Sequence, residues 1–241
     1  MSDVILSAYH GGLGDNLQFS TLPEEFHKQQ GRDTYIWSKA SFRNPEIYDL
    51  VWGCNPYIKG VKDGIWTAGD TPEIGHKTLI SDCIMNWEAL HGLEPTNRHP
   101  KIYYKPKKIY GFHNILLVDL SSISITYDSK EILELYDTIK KIHDDMMFFG
   151  VEFTNKIKDA TIIEPEVDNT ILIDDIFTYV DLMYSSFGVV SLHSGQNHLA
   201  SAIKNQYNND LKVYCLMDDV EYERQKKKAI FVFDNVTYLR Y

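Results

Sequence analysis

The sequence predicts an α/β protein built from two Rossmann-like halves whose parallel sheets face one another. Short apolar runs that read as strands alternate with segments of helical spacing, the pattern of parallel strands joined by crossover helices. The alternation restarts after EPTNRHPKIYYKPKK (residues 94–108), a proline- and lysine-rich stretch that reads as a linker. In each half, a strongly apolar strand opens into a loop of small residues. The expected domains are residues 1–108 and 109–241, with the boundary near 105 to 110.

In the first half, VILSAYH (residues 4–10) reads as a buried strand. From Asn16 to about Gln30, Leu17, Phe19, Leu22 and Phe26 recur at helical spacing, and Gly31 is a natural stop. DTYIWS is a second strand, NPEIYDLVWG a short helix ending at Gly53, and YIKGV another short strand. GIWTAGDTPEIGH reads as loop, and ISDCIMNWEALHGL as a helix stopped by Gly92.

In the second half, NILLVDLSS is an apolar strand that opens into the loop Ser121-Ser122-Ile123-Ser124. Ser129 to about His143 is an amphipathic helix, with Ile132, Leu135, Tyr136, Ile139 and Ile142 on one side. DATIIEP is a strand, DIFTYVDLMYSS a helix, GVVSLH a strand and NHLASAIKN a helix. KVYCLM, IFVFD and VTYLRY are further strands. The sequence has no internal repeat and no low-complexity tract.

Composition narrows the function classes. A hydrophobic content of 44% supports a real core. The net charge of −10 gives no general attraction for nucleic acid, whose binding depends on neutralising phosphates with Lys and Arg. Lys226, Lys227 and Lys228 form the tight basic cluster, which reads as a solvated helix face. Cys54, Cys83 and Cys215 are sparse and odd in number, forming neither a disulfide framework nor a zinc knuckle, and suit a reducing compartment. No apolar run approaches the roughly 18 to 20 residues that span a bilayer, and no signal-peptide pattern opens the chain. The expectation is a soluble, cytoplasmic protein.

Two loops carry candidate chemistry. In HGGLGDN (residues 10–16), Gly12 and Gly14 could open a dinucleotide fingerprint, but Leu17 stands where its third glycine belongs. Asp33 lies near the distance of the fingerprint's acidic residue, but at the start of the second strand. No Gly-Lys-Ser or Gly-Lys-Thr of a P-loop is present. That leaves Asp15, which is either a carboxylate satisfying amides at a helix start or a general base.

The second loop is SLHSGQNHLASA (residues 191–202), a strand, a turn through His193, Ser194, Gly195 and Gln196, then a helix. Backbone amides at such a helix start can hold a diphosphate, and Ser194 and Asn197 could add side-chain hydrogen bonds. His193 and His198 lack the spacing of a helical zinc pair and have no third ligand nearby, so no metal is expected. His198 either touches a ligand or packs beneath the loop and shapes it.

GGLGDNLQFSTLPEEF, with Gly14-Asp15 followed by Leu22-Pro23, resembles the opening signature of the heptosyltransferase-like glycosyltransferases. IDDIFTYVDLMYSSFGVVSLHSGQNHLASAI resembles their later helix–strand–turn segment, which ends in His-Leu-Ala. The resemblance implies a GT-B fold, two Rossmann-like domains with parallel sheets facing across a cleft. It implies an acceptor domain first and a nucleotide-sugar domain second. Asp15 then corresponds to the base that deprotonates the acceptor hydroxyl, with His10 and Asn16 as acceptor contacts. Gly12, Gly14, Ser121, Ser122, His193, Ser194, Gly195, Gln196, Asn197 and His198 become candidates for the donor.

The resemblance thus implies an inverting transfer from a nucleotide-sugar to a hydroxyl of a glycan or of a modified DNA base. Since no Asp-x-Asp motif is present, no metal or other cofactor is expected beyond the nucleotide-sugar as co-substrate. The chain departs from the family where His193 replaces an acidic residue, where a basic residue is missing from the Ser121–Ser124 loop, and in being shorter than typical members. A reduced, non-catalytic nucleotide- or sugar-binding module is the alternative that these departures keep open.

Overall fold

The structure is a computed structural model that describes residues 2–123, 126–154 and 160–241. Ser124 of the second-half loop lies outside the described residues. The chain divides into two compact units: residues 1–105 with 225–233, and residues 106–224 with 234–241.

The first unit begins with β1 (Val4–Ser7), buried along its whole length. A short helix, α1 (Leu13–Leu17), and then α2 (Leu22–Gln30) follow. The single helix expected over residues 16–30 is therefore two. The break lies just before Pro23, which lacks an amide and so sits in the first turn of α2 and not inside a continuous helix. Gly31 caps α2 in the left-handed conformation, at φ 61°. Next come β2 (Thr34–Trp37), α3 (Pro45–Tyr48) leading into a π-helical turn over Asp49–Gly53, β3 (Ile58–Lys62), β4 (Ala68–Gly69) and α4 (Cys83–Leu90). The strands form a parallel sheet in the order β3-β2-β1-β4. β4 lies within the stretch read from sequence as loop.

In the second unit, β5 (Ile115–Asp119) is wholly buried and is followed by β6 (Ser121–Ser122). Asp128 caps α5 (Ser129–Ile142), which buries Ile132, Tyr136 and Ile139 while Ile142 stays exposed. Then follow β7 (Met147–Phe153), β8 (Thr161–Ile162), β9 (Asn169–Ile173), α6 (Ile176–Ser185), β10 (Gly188–Leu192) and α7 (Gly195–Gln206). β11 (Lys212–Met217), α8 (Asp219–Lys227) and β12 (Thr237–Arg240) complete the chain. The main sheet is parallel, in the order β12-β11-β10-β5-β7-β9, and β6 pairs separately with β8 in antiparallel fashion.

Two expectations need correction. β7 and β9, unassigned in the sequence reading, form one flank of this sheet. IFVFD (residues 230–234) is not a strand: Ala229 and Phe231 take positive φ, and Phe231 donates its amide to Cys83 Sγ within the first unit. Ile230 and Phe233 are buried by this return, not by sheet pairing.

Relative to β5, the strand order of the second sheet reads 3-2-1-4-5-6, the doubly wound order of a Rossmann domain. The first sheet reads 3-2-1-4 relative to β1. In each, the direction of winding reverses beside the unit's first strand. Ligands of such sheets bind outside the carboxyl ends of the strands at this switch point, because the loops there diverge and leave room. The switch points are β5/β10 in the second unit and β1/β4 in the first.

Candidate functional site

At the second-unit switch point, Asp119 and Ser191 are register partners on β5 and β10, so the loops leaving both strands start side by side. Asp119 is buried, with its carboxylate accepting the Ser121 hydroxyl at 2.6 Å and the Tyr179 hydroxyl at 3.0 Å. Burial pushes its pKa up against these hydrogen bonds. Tyr179, from α6, is pushed well above its ordinary range by burial and then by the adjacent carboxylate. Gln196 donates from Nε2 to Ser121 Oγ at 3.0 Å, which ties the β10 loop to the β5 loop.

The β10 loop ends at Ser194, the N-cap of α7, whose amide donates to Asn197 Oδ1 at 3.0 Å. His193, Asn197 and His198 are buried, whereas Ser194, Gly195 and Gln196 remain half-buried. His198 lies beneath the loop with Nδ1 at 2.6 Å from the Ser194 carbonyl. Burial, and secondarily the neighbouring His193, holds its pKa down to about 3, so the ring is neutral. A neutral ring donates from Nδ1 to that carbonyl, which fixes the turn from below. Ser122 is buried in β6, beside Thr161. The accessible polar groups are thus Ser121 and Ser194–Gln196 at the amino end of a 12-residue helix, where the helix dipole favours an anion.

The first-unit loop explains its glycines. Gly11 has φ +67°, and a Cβ there would stand 2.4 Å from the Ser41 carbonyl oxygen. Its own carbonyl accepts the Arg43 amide at 3.1 Å, so the backbone of residues 41–43 runs against the loop. Gly12 is the N-cap of α1, and its amide donates to Asp15 Oδ2 at 3.1 Å. Asp15 therefore satisfies a helix-start amide from the third helical position, half-buried. One accepted amide uses only part of a carboxylate's capacity of about four hydrogen bonds. Gly14 lies inside α1. Asn16 is buried and braces the loop, donating to the Gly12 carbonyl at 2.7 Å and accepting the Trp52 indole N–H at 2.8 Å. His10 is exposed.

The sequence candidates accordingly fall into two groups. His10, Gly12, Gly14, Asp15 and Asn16 gather at one switch point, and Ser121, Ser122 and residues 193–198 at the other. Sequence reasoning missed Asp119, Tyr179, Asp70 and His76. The aspartate ending ILLVD was the available signal for the first of these. Asp70 follows β4, and its Oδ2 stands 3.4 Å from His76 Nε2. With His10 these are the group of ligand-type side chains among the described residues whose donor atoms converge, all within 4.8 Å. A surface cleft of about 390 Å³ lined by Lys108, His113, Asp210 and Lys212 lies at the opposite end of the second sheet, where β5, β10 and β11 begin.

No family model and no curated protein matches the sequence. Solved structures do match. The iron-containing dodecameric glycosyltransferase TibC from enterotoxigenic E. coli H10407 is 12% identical over 88% of this chain, with a TM-score of 0.53. TibC in complex with ADP-D-beta-D-heptose superimposes with a TM-score of 0.58. This chain spans 56% and 62% of the length of those two TibC chains. A family 9 glycosyl transferase from Veillonella parvula DSM 2008 is 8% identical with a TM-score of 0.58, covering 99% of this chain and 84% of its own. E. coli heptosyltransferase WaaC with ADP, also 8% identical, gives 0.55, covering 99% and 93%. The chain has the fold of these glycosyltransferases, a GT-B-type arrangement with two Rossmann-like units.

The comparison corrects one expectation. TibC is described as iron-containing, so the reading that this fold operates with no cofactor does not stand. The cysteines here do not form a thiolate site: Cys54, Cys83 and Cys215 are unpaired, and burial raises all three thiol pKa values, Cys83 to about 12. The imidazole and carboxylate donors of His10, Asp70 and His76 are of a kind that suits iron or zinc. No helix among the described residues is long and apolar enough to cross a membrane.

Proposed function

We propose that the chain is an inverting glycosyltransferase that moves a sugar from a nucleotide-sugar to a saccharide hydroxyl. The observation that supports it most is the pairing of Ser121 with the Ser194–Gln196 turn at the β5/β10 switch point, at the amino end of α7. Backbone amides there suit a diphosphate, and they would stabilise the negative charge that develops on it as the sugar leaves. Asp15 takes the proton from the acceptor hydroxyl. The oxygen then bonds to the anomeric carbon while the bond from that carbon to the diphosphate breaks, and a single displacement inverts the centre. The fold shared with proteins described with ADP or ADP-heptose supports the same donor class. Calorimetric titration with UDP-, GDP-, ADP- and CMP-sugars tests the reading. Binding of one of them, with product formation that Asp15→Asn abolishes, is the expected result. No binding by any of the four overturns it.

A further inference from the structure

The first-unit switch point carries a feature that sugar transfer does not require. β1 and β4 are hydrogen-bonded neighbours, with Leu6 opposite Ala68 and Ser7 opposite Gly69. His10 leaves the end of β1 and Asp70 the end of β4, so residues 60 apart in sequence start from adjacent points. Gly69 makes the close crossing feasible: it has φ +92°, and a Cβ there would lie 1.9 Å from the Ser7 carbonyl oxygen. Its amide donates to His91 Nε2 at 2.9 Å, while His91 Nδ1 stands 2.7 Å from the Trp87 carbonyl. A neutral His91 satisfies both contacts and pins the backbone just before Asp70.

His76 reaches the same point from a turn closed by the Gly75 amide on the Thr71 carbonyl at 2.8 Å. Its ring packs edge-on toward Trp87 of α4, with centroids 6.2 Å apart. Three donors, two imidazole nitrogens and a carboxylate oxygen, therefore converge from two connections, β1 to α1 and β4 to α4. The 3.4 Å between His76 Nε2 and Asp70 Oδ2 is the spacing of neighbouring ligands around one ion, since ligands about 2.1 Å from a metal at tetrahedral or octahedral angles sit about 3.0–3.4 Å apart. All the donor atoms lie within 4.8 Å of one another, and His10 is exposed.

An ion pair alone explains this group poorly. One imidazole N–H is enough to hydrogen-bond the Asp70 carboxylate, and that contact gives no role to a second imidazole at the same point. A cation uses the lone pairs of both neutral rings together with the carboxylate. The donor set is that of sites for first-row divalent ions that keep positions open for water or substrate. Asp70 is 13% exposed and His76 44%, so an ion has access.

We propose that His10, Asp70 and His76 form a binding site for a first-row divalent transition-metal ion at the β1/β4 switch point. His10 lies in the connection between β1 and α1, and Asp15 in the first turn of α1.

The test is titration of the chelator-stripped full chain with Co2+, followed by visible absorption, and with Zn2+ by calorimetry. The expected result is one ion per chain with ligand-field bands. His10→Ala, Asp70→Ala and His76→Ala should each weaken binding by more than the roughly 10–100-fold that loss of an outer-shell partner costs. His27→Ala, an exposed histidine of α2, should leave it unchanged. His10→Ala alters only an exposed loop side chain, so it decides the matter even if Asp70→Ala fails to fold. Absence of stoichiometric binding in the parent chain, or binding undiminished by His10→Ala and His76→Ala, overturns the proposal. This readout needs no sugar transfer, so it is independent of the outcome of the nucleotide-sugar titrations.

Discussion

Gln196 and Ser121, 75 residues apart, are joined by a 3.0 Å hydrogen bond that couples the loops leaving β10 and β5. Ser121 passes the link to buried Asp119, and Asp119 to Tyr179 of α6. Because the chain is anchored at both ends, the turn before α7 is held in place before any ligand arrives. Preorganised amides bind an anion without paying to order the loop.

Removing one end of this link should therefore weaken donor binding more than it weakens the fold. Gln196→Ala is expected to lower nucleoside diphosphate affinity about 5–10-fold, matching the roughly 1–1.5 kcal/mol of one hydrogen bond. Ser121→Ala should do the same, and the double variant little more, since both changes cut one link. Calorimetric titration of the three variants checks this. Full additivity would show that the two loops act separately.

Asp15 holds one helix-start amide and is the proposed base, and the two roles separate by substitution. Asn at this position can still accept the Gly12 amide but cannot take a proton. Asp15→Asn should lower product formation by about 10²–10⁴-fold. Its unfolding free energy should fall by no more than the roughly 0.3–1 kcal/mol of a first-turn charge. An active Asp15→Asn enzyme would exclude the carboxylate as base.

How far the site was legible depended on whether its signal was local. Gly12, Gly14, Asp15 and Ser194–Asn197 sit in contiguous strand–loop–helix segments, whose order of apolar run, small residues and helical spacing is written in the sequence. The Asp70–His76 pair was not legible, because β4 is two residues long and carries no periodicity. Only its pairing with β1, a contact across 62 residues for Leu6 and Ala68, brings His10 to Asp70. β7 was missed for a related reason. Its burial does not alternate, and Gly150 sits at its centre, so it looks like a strand only once β5 and β9 flank it. Asn16 and His198 read in the sequence as ligand contacts; both are buried and hydrogen-bond within their own loops, which a single sequence does not display.

Gly11 and Gly31 share a left-handed backbone but differ in what surrounds them. At Gly11 the missing Cβ would strike the Ser41 carbonyl oxygen at 2.4 Å, and that partner is backbone. At Gly31 nothing lies within 4 Å. Gly31→Ala should cost about 1–2 kcal/mol, the conformational penalty alone. Gly11→Ala should cost that penalty and about 1–3 kcal/mol more for displacing residues 41–43. Urea unfolding of both variants measures the difference. Equal losses would show that the loop has room to relax.

Glu24 predicts how the first unit responds to acid. It is nearly buried on α2, which would raise its pKa, but the Lys101 ammonium at 2.7 Å, Lys28 at 2.6 Å and the Tyr103 hydroxyl at 2.9 Å outweigh burial and hold it at about 2. A carboxylate with a folded pKa below its unfolded 4.5 binds fewer protons in the folded state. The stability it contributes is therefore complete above pH 4.5 and is lost as pH falls toward 2. At roughly 1.4 kcal/mol per unit, the contribution is about 3 kcal/mol. Glu24→Gln should destabilise the protein by about that amount at pH 7. It should also flatten the decline in stability between pH 4.5 and 2, because its amide does not titrate. Denaturant titrations across that range check both effects. A variant with the same acid profile as the parent would place the acid-sensitive group elsewhere.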